Sequence, residues 1–228
     1  MIVDIIIPAL NEEKSIGKVL EEIRHPEVRN IIVVNNGSTD RTAEVAREGG
    51  AIVLDQPLKG YGWACLKGIA YANNENPPAD IIVFMDADHS DYPEEIELLL
   101  APFRTRNVDL VIGSRENAQR QKGSMTIPQI FGNRLATFMI RVIYKHRFTD
   151  LGPFRAIRFD KLNALKMNDK TYGWTVEMQV KALRQKMNCE EVAVKYRPRI
   201  GVSKVSGTVK GTILAGYKII TTILKYSI

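Results

Sequence analysis

Two carboxylates, Asp86 and Asp88, directly follow an apolar run at residues 81–85. Because alternate side chains of an extended chain point to the same face, both acids are expected to leave a strand side by side. Adjacent carboxylates repel each other unless a cation lies between them, and Mg²⁺ or Mn²⁺ is often held by one or two carboxylates together with substrate phosphates. The pair therefore predicts a metal site for a phosphate-bearing ligand, although an isolated Asp-x-Asp is more often part of a solvated turn.

The elements that must position these acids alternate along the first 115 residues. Short apolar runs predict strands, and helical spacing of apolar residues lies between them, which indicates an α/β fold with a mostly parallel sheet covered on both faces. Ligands of such sheets bind at the carboxyl ends of the strands. The predicted strands are 3–8, 31–34, 51–54, 81–85 and 108–112, and the predicted helices are 12–23, 40–47, 60–71 and 93–103.

The pattern changes after residue 115. A polar stretch at 116–126 predicts a mobile loop, and amphipathic spacing predicts a helix at 127–144. Further along, the sequence predicts a short strand at 154–158, a helix at 174–185 and a strand at 191–196. The tail at 207–228 is apolar with lysines, and we expect the C-terminal part to form amphipathic helices.

Composition fits one sizeable soluble domain spanning residues 1–228, because 45% of the residues are apolar and 25% are charged. The two cysteines form neither a disulfide framework nor a metal-ligand spacing, which is typical of a reducing compartment. The sequence shows no signal peptide and no run of roughly 18 apolar residues, so we expect neither secretion nor a membrane span.

Charge divides the chain. Residues 1–114 carry 10 Lys/Arg against 19 Asp/Glu, a net charge of −9, and residues 115–228 carry 22 against 7, a net charge of +15. A basic second half favours anionic partners, such as lipid headgroups or a phosphorylated acceptor. Nucleic acid is not expected as a partner, because the sequence shows no nucleic-acid-binding motif.

Taken in order, the motifs at the ends of the predicted strands resemble those of the family 2 glycosyltransferases of GT-A fold. The resemblance is greatest to the dolichol-phosphate mannose synthase-like branch, which loads a sugar from a nucleotide donor onto a dolichyl or polyprenyl phosphate. It covers roughly the first 205 residues. The matching segments are residues 8–12, 35–40, 85–90, 113–115, 152–155 and 201–204.

This resemblance implies a role for each matching residue. It divides the chain into a nucleotide-sugar-binding half (1–115), an acceptor-binding half (116–206) and an amphipathic tail (207–228). It implies Mg²⁺ or Mn²⁺ bound by Asp86, Asp88 and Ser90. The implied nucleotide-sugar site consists of Pro8, Leu10, Glu12, Val34, Asn36, Asp86, Ala87 and Asp88.

The resemblance assigns the contacts with donor or acceptor phosphates to Arg115 and Lys204. Relatives of the mannose branch also carry Arg where this chain has Pro198, so Arg197 or Arg199 is expected to supply that contact. Relatives usually have Asp where this chain has Asn36, which leaves the base open between uracil and guanine.

The implied reaction is a metal-dependent, inverting sugar transfer to a phosphate acceptor that needs no strong base. A hydroxyl acceptor would need one, and Asp150 and Glu177 are the carboxylates best placed for it by sequence context. Structural roles, in a turn and on a helix face, are the alternatives for both residues. A nucleotidyltransferase is disfavoured because no Gly-rich loop follows the first predicted strand. A non-catalytic partner subunit of the same fold remains the alternative from another class.

Basic residues beside apolar ones at 134–147 and 211–228 predict docking on a membrane surface. We therefore expect a peripheral protein on the cytoplasmic face of the membrane. Intramolecular packing combined with a homo-oligomer contact is the competing explanation, and a separate membrane partner also stays open.

Overall fold

Seven strands form the sheet in the computed structural model, which describes residues 1–116, 119–203 and 209–227, with the backbone alone at 209 and 210. The strands are β1 (Val3–Ala9), β2 (Val28–Asn35), β3 (Ile52–Asp55), β4 (Ile81–Phe84), β5 (Leu110–Ser114), β6 (Arg155–Arg158) and β7 (Cys189–Ala193).

Eight helices pack around this sheet within the described ranges. They are α1 (Ile16–Glu22), α2 (Thr42–Glu48), α3 (Tyr61–Ala72), α4 (Ile96–Thr105), α5 (Ile127–Tyr144), α6 (Phe159–Leu165), α7 (Trp174–Arg184) and α8 (Val209–Lys225). A 3₁₀ turn at Pro93–Glu95 precedes α4. None of the helices that the structure describes is both long and apolar enough to cross a membrane.

The strand order is β3-β2-β1-β4-β6-β5-β7. β6 is antiparallel to both of its neighbours, and the other strand pairs are parallel. The carboxyl ends of β1, β2, β4 and β5 therefore meet at one edge, and the amino end of β6 joins them because Arg155 is paired with Phe84. This edge carries the candidate site.

Successive residues of each strand point to opposite faces of the sheet and are buried there. Ile6, Ile82 and Phe84 pack with α3, α5 and α7 on one side. Ile5 and Val83 pack with α1 and α4 on the other side. The predicted α/β architecture, mostly parallel and covered on both faces, is confirmed.

Several boundaries differ from the sequence predictions, and α6 was not predicted at all. The amphipathic helix expected in the tail is present as α8. α1 begins at Ile16 rather than at residue 12, because the backbone N–H groups of Ser15 and Ile16 first close a turn on the Glu12 carbonyl. β7 begins and ends earlier than the predicted strand, because it pairs with all of β5 from Leu110 to Ser114.

Candidate functional site

The two strand-end carboxylates lie in a cleft at the carboxyl edge of β4. Ser90 holds Asp88, since its Oγ and backbone N–H donate to Asp88 Oδ1 at 2.5 and 3.0 Å. Ser90 itself is fully buried and is not among the residues that line the cleft. Its hydroxyl therefore orients a carboxylate here, in contrast to the ligand role implied by the resemblance.

The pKa of the neighbouring carboxylate, Asp86, is shifted by its surroundings. Desolvation raises the pKa of Asp86, and the negative charge of Asp88 adds to that rise, while Arg199 and Arg115 counteract it. Burial likewise raises the pKa of Asp91, whose Oδ2 accepts from the Asp86 backbone N–H at 3.4 Å. A cation at this point would relieve the repulsion, so the donor set fits a hard divalent metal.

The described residues contain no group of three or more His, Cys, Asp or Glu side chains arranged to hold a metal. Asp86 and Asp88 would therefore supply one or two ligands. Substrate phosphate oxygens and water would complete the shell, which is the usual arrangement for Mg²⁺.

Arg199 is the arginine at the centre of the cleft. Its Nη2 lies 3.1 Å from Asp88 Oδ2 and 3.2 Å from Glu12 Oε1. Ser15 Oγ donates to the other oxygen of Glu12, Oε2, at 3.0 Å. Arg199 thus joins the loop after β1 to the loop after β4.

Arg197 faces away from the cleft and has a structural role. Its guanidinium is paired with Glu22 at 2.5 Å, donates to the His89 carbonyl at 2.7 Å and stacks over the Tyr92 ring at 4.3 Å. Glu22 is also in contact with His89, whose Nε2 lies 2.9 Å from Glu22 Oε1. Of the two arginines that flank Pro198, Arg199 is therefore the one available to a ligand.

Arg115 lines the cleft beside these groups and is held by Asp150. The backbone N–H, Nε and Nη2 of Arg115 all donate to the Asp150 carboxylate at 2.7 Å. Burial alone would raise the pKa of Asp150, but the charge and hydrogen bonds of Arg115 outweigh it and lower that pKa. The carboxylate is fully buried and committed to the arginine, which is the turn-ordering role rather than that of a free base.

Glu177 is also committed elsewhere. It is 1% exposed and accepts from the backbone N–H of Asp169 at 2.7 Å, Lys181 Nζ at 2.8 Å and the Tyr226 hydroxyl at 2.9 Å. It is absent from the described lining of the cleft. Because Glu177 is buried and paired with Lys181, the structure does not favour it as the general base for a hydroxyl acceptor.

One side of the cleft is a pocket of about 350 Å³ between the loops after β1, β2 and β4. Among the residues implied for the nucleotide-sugar site, the structure brings together Pro8, Leu10, Glu12, Asn36, Asp86, Ala87 and Asp88. Val34 is the exception, because it is fully buried in the core on the α3 side of the sheet.

Asn36 organises the wall of this pocket. Its Nδ2 donates to the carbonyls of Gln56 and Leu58 at 3.1 and 2.7 Å, and its Oδ1 accepts from the Gly60 N–H at 2.8 Å. The side chain therefore fastens the segment 56–60 to the end of β2.

Sequence reasoning missed the segments that close the pocket, which include Lys59, Gly60, Thr171 and Tyr172. A Cβ on Gly60, whose φ is +143°, would lie 2.2 Å from the Lys170 carbonyl oxygen. Only glycine allows this approach between the two segments. The Gly-x-Gly spacing at residues 60–62 was the available signal.

The other side of the cleft opens into a space of about 330 Å³ beneath α5 and α8, lined also by Asp86, Asp88, Arg115 and Arg199. Arg155 lies fully buried nearby and donates to the carbonyls of Gly152 and Thr175. Burial lowers the pKa of Arg155 to about 10. Lys204, the remaining phosphate contact implied by the resemblance, lies outside the described residues.

Comparison with known proteins gives consistent matches. The sequence model of the family described as "Glycosyl transferase family 2" matches residues 4–166. An uncharacterized glycosyltransferase of Mycobacterium tuberculosis is 33% identical over 216 residues, which cover 93% of this chain and 94% of that protein. The undecaprenyl-phosphate mannosyltransferase of Micrococcus luteus is 31% identical over 219 residues, which cover 90% of this chain and 88% of that protein.

Among solved structures, the fold matches glucosyl-3-phosphoglycerate synthase from Mycobacterium tuberculosis in complex with Mn²⁺, uridine diphosphate and phosphoglyceric acid. The TM-score is 0.80 at 21% sequence identity, and the match covers 99% of this chain and 78% of that chain. The likeness is one of fold, and it confirms the GT-A architecture.

Proposed function

The chain belongs to glycosyl transferase family 2, and we propose that it moves a sugar from a nucleotide-diphosphate sugar to a polyprenyl phosphate at a membrane surface. The family resemblance and the enzyme class expected from the motifs are confirmed by the family match. The donor, the acceptor, the metal and the membrane are the proposal.

The observation that carries the proposal is the meeting of opposite charges at the strand ends. Two carboxylates, Asp86 and Asp88, and two arginines, Arg115 and Arg199, line one cleft. The nucleotide-side pocket opens on one side of this group and the space beneath α5 and α8 on the other. A diphosphate donor and a phosphate acceptor require such a shared centre of cations and metal ligands.

We assign the metal, Mg²⁺ or Mn²⁺, to Asp86 and Asp88, and Ser90 fixes the orientation of Asp88. When bound, the ion supplies Lewis-acid stabilisation of the charge that develops on the leaving diphosphate. This assignment is supported by the solved structure of the same fold that contains Mn²⁺ and uridine diphosphate.

The side chains of the cleft account for the remaining chemistry. Arg115, held rigid by Asp150, and Arg199 donate charge-assisted hydrogen bonds to phosphate oxygens. An acceptor phosphate is already ionised near neutral pH, so it attacks the anomeric carbon without a general base. The nucleoside diphosphate leaves from the opposite face, and the anomeric centre is inverted.

A phosphate acceptor also agrees with the state of the nearby carboxylates. A hydroxyl acceptor needs a base, but Asp150 is bound to Arg115 and Glu177 to Lys181 and Tyr226. The Micrococcus luteus relative, by its name, acts on undecaprenyl phosphate, which supports the same acceptor class for this chain.

The membrane is proposed from an exposed apolar stripe on α5. The stripe is one helix face at spacings of four, four, three and four residues, and it consists of Ile127, Phe131, Leu135, Phe138 and Val142, which are 37–83% exposed. Arg134 and Arg141 lie beside it and are exposed. The sequence has no Asp or Glu at 117–149 or 192–228. Two copies of such a face would repel each other, whereas an anionic lipid surface would attract it.

The proposal is tested by calorimetric titration with UDP and GDP, each with and without Mn²⁺. We expect one nucleotide to bind in a metal-dependent manner and the binding to be lost in Asp88→Ala. Asp160→Ala removes an exposed carboxylate on α6 and serves as the control that retains binding. The protein, supplied with sugar donors of the base that binds, should then glycosylate a polyprenyl phosphate. Failure of both nucleotides under every metal condition would refute the donor assignment.

A further inference from the structure

The space between α5 and α8 contains a set of small and apolar residues in its walls. We call it the α5/α8 groove and define it by Pro128, Gly132, Ala215, Gly216 and Ile219. Positions 128 and 132 are one turn apart on α5, and positions 215, 216 and 219 share one face of α8. Two helix faces therefore look into the same space.

The two glycines of the groove are not required by packing. A Cβ added at Gly132 or at Gly216 would meet no other heavy atom within 4 Å, and neither glycine has the positive φ that favours this residue. Glycine inside a helix costs about 0.5–1 kcal/mol relative to alanine. What both positions provide in return is open space in the wall of the cleft.

The polar residues Gln129, Asn133 and Thr212 also line this space, and the amide of Asn133 is engaged within the fold. Asn133 donates from Nδ2 to the Thr149 carbonyl at 3.1 Å and accepts at Oδ1 from the Leu151 N–H at 2.9 Å. Its amide therefore serves to fix the turn at 149–151.

The same cleft also holds buried donors without acceptors. Trp174 is 1% exposed, and its Nε1–H has no hydrogen-bond partner among the residues described. The Nε of Arg199 is likewise buried and without a partner in the described chain. A buried, unsatisfied donor costs roughly 1–3 kcal/mol, so both side chains point to a ligand that brings acceptor atoms to this end of the cleft.

We propose that the α5/α8 groove binds the hydrocarbon segment of the acceptor that adjoins its phosphate, with Gly132 and Gly216 keeping the groove open. The inference rests on the proposed function and adds to it the site of the lipid chain. An amphiphile with an anionic head would satisfy the donors and fill the groove. The chain then continues along α5 towards the exposed stripe that begins at Ile127.

The test fills the groove without disturbing the fold. Gly132→Leu and Gly216→Leu replace a poor helix former with a good one, so both variants should fold. Ala70→Leu, at an exposed position of α3, is the matched control for an added leucine side chain. Binding of labelled farnesyl phosphate is measured by equilibrium dialysis below its aggregation concentration. A Trp63→Phe background leaves Trp174 as the single tryptophan, so its emission reports contact with the groove.

We expect both groove variants to bind farnesyl phosphate at least about tenfold more weakly, since two or more methylene contacts are lost. Ala70→Leu should bind it like the wild type, and metal-dependent nucleotide binding should be unchanged in all variants. Wild-type affinity in the groove variants would overturn the inference, and so would equally tight binding of glycerol 3-phosphate, which has no hydrocarbon chain. If no nucleotide binds, but the wild type and Ala70→Leu bind farnesyl phosphate more tightly than the groove variants, the donor assignment is wrong and the inference about the groove is supported.

Discussion

Arg115 is bound by Asp150 through three hydrogen bonds of 2.7 Å, two from the guanidinium and one from its own backbone N–H. The side chain of Arg115 is 12% exposed and that of Asp150 is not exposed at all. The aspartate therefore sets both the position of the arginine and the path of the chain as it leaves β5. In the proposed reaction, Asp150 would therefore act through Arg115.

Asp150→Asn preserves the shape of the side chain but removes the carboxylate charge with which the guanidinium of Arg115 is paired. Removing one member of a buried pair typically costs about 3–5 kcal/mol. We expect the free energy of unfolding, measured by urea titration, to fall by that order and sugar transfer to be lost.

The double variant Arg115→Leu/Asp150→Leu separates stability from function. Replacing both partners with apolar groups is often neutral for stability, so the unfolding free energy should recover while transfer stays absent. If Asp150 were instead a general base, Asp150→Asn would abolish transfer with wild-type stability.

Ser90 and Ser15 form a matched pair, because each donates its hydroxyl to a carboxylate of the cleft. Ser90 holds Asp88, and Ser15 holds Glu12. Loss of an outer hydrogen bond to a metal ligand typically lowers metal affinity by about 10–100-fold. Ser90→Ala should therefore raise the Mn²⁺ concentration needed for half-maximal nucleotide binding.

In the same titration Ser15→Ala should weaken nucleotide binding and leave its Mn²⁺ dependence unchanged. Stripping the metal with a chelator should abolish nucleotide binding by both variants and by the wild type. An identical response of the two serine variants to Mn²⁺ would contradict the separate placement of metal and nucleotide contacts.

The fold was largely readable from the sequence because the apolar runs of β1, β2, β4 and β5 are bounded by turn motifs. The antiparallel direction of β6 was not readable. A strand of four residues, Arg155–Arg158, carries the same alternation in either direction, and its direction follows from pairing with β4 and β5, which are distant in sequence.

The site was predictable where it follows strand ends, as for Glu12, Asp86 and Asp88. It was not predictable where a partner far along the chain decides the role. Arg197 and Arg199 differ in role because Arg197 is paired with Glu22, which lies 175 residues earlier in the sequence. Thr171 and Tyr172 belong to no motif, and they reach the cleft only because the segment before α7 packs on Gly60 and Gly62.

Asn36 gives a prediction about the nucleotide. An aspartate at this position still accepts from the Gly60 N–H but cannot donate to the carbonyls of Gln56 and Leu58, and it places a negative charge against them. Asn36→Asp should therefore weaken the binding of the preferred nucleotide by about tenfold, the equivalent of one or two hydrogen bonds of ~1 kcal/mol.

Because the loop rather than the base is disturbed, the preference between UDP and GDP should stay the same in Asn36→Asp. Asn74→Asp is the control, since Asn74 donates to the Ala70 carbonyl at an exposed site. A switch from one base to the other in Asn36→Asp would instead show that this side chain reads the base.

If the proposed function is correct, the exposed stripe on α5 should bind the membrane that carries the acceptor. Phe131 and Phe138 are 68% and 62% exposed, and burying each ring in a lipid interface contributes up to about 1.5–3 kcal/mol. Phe131→Ser/Phe138→Ser should reduce co-sedimentation with anionic vesicles at least tenfold, on the order of 1.4 kcal/mol. Leu98→Ser, on α4 and 42% exposed, should bind vesicles like the wild type.

The basic residues beside the stripe should make a separate contribution to the binding of anionic vesicles. Arg134→Gln/Arg141→Gln should weaken binding to anionic vesicles by ~1 kcal/mol per charge and leave the weak binding to neutral vesicles unchanged. The competing occupant of the stripe is a second copy of the chain, which sedimentation velocity distinguishes. A wild-type dimer that Phe131→Ser/Phe138→Ser dissociates, with vesicle binding unaffected, would make the stripe a subunit interface. Repulsion between the arginines beside the stripe on two copies, Arg134 and Arg141, is the physical reason to expect the opposite result.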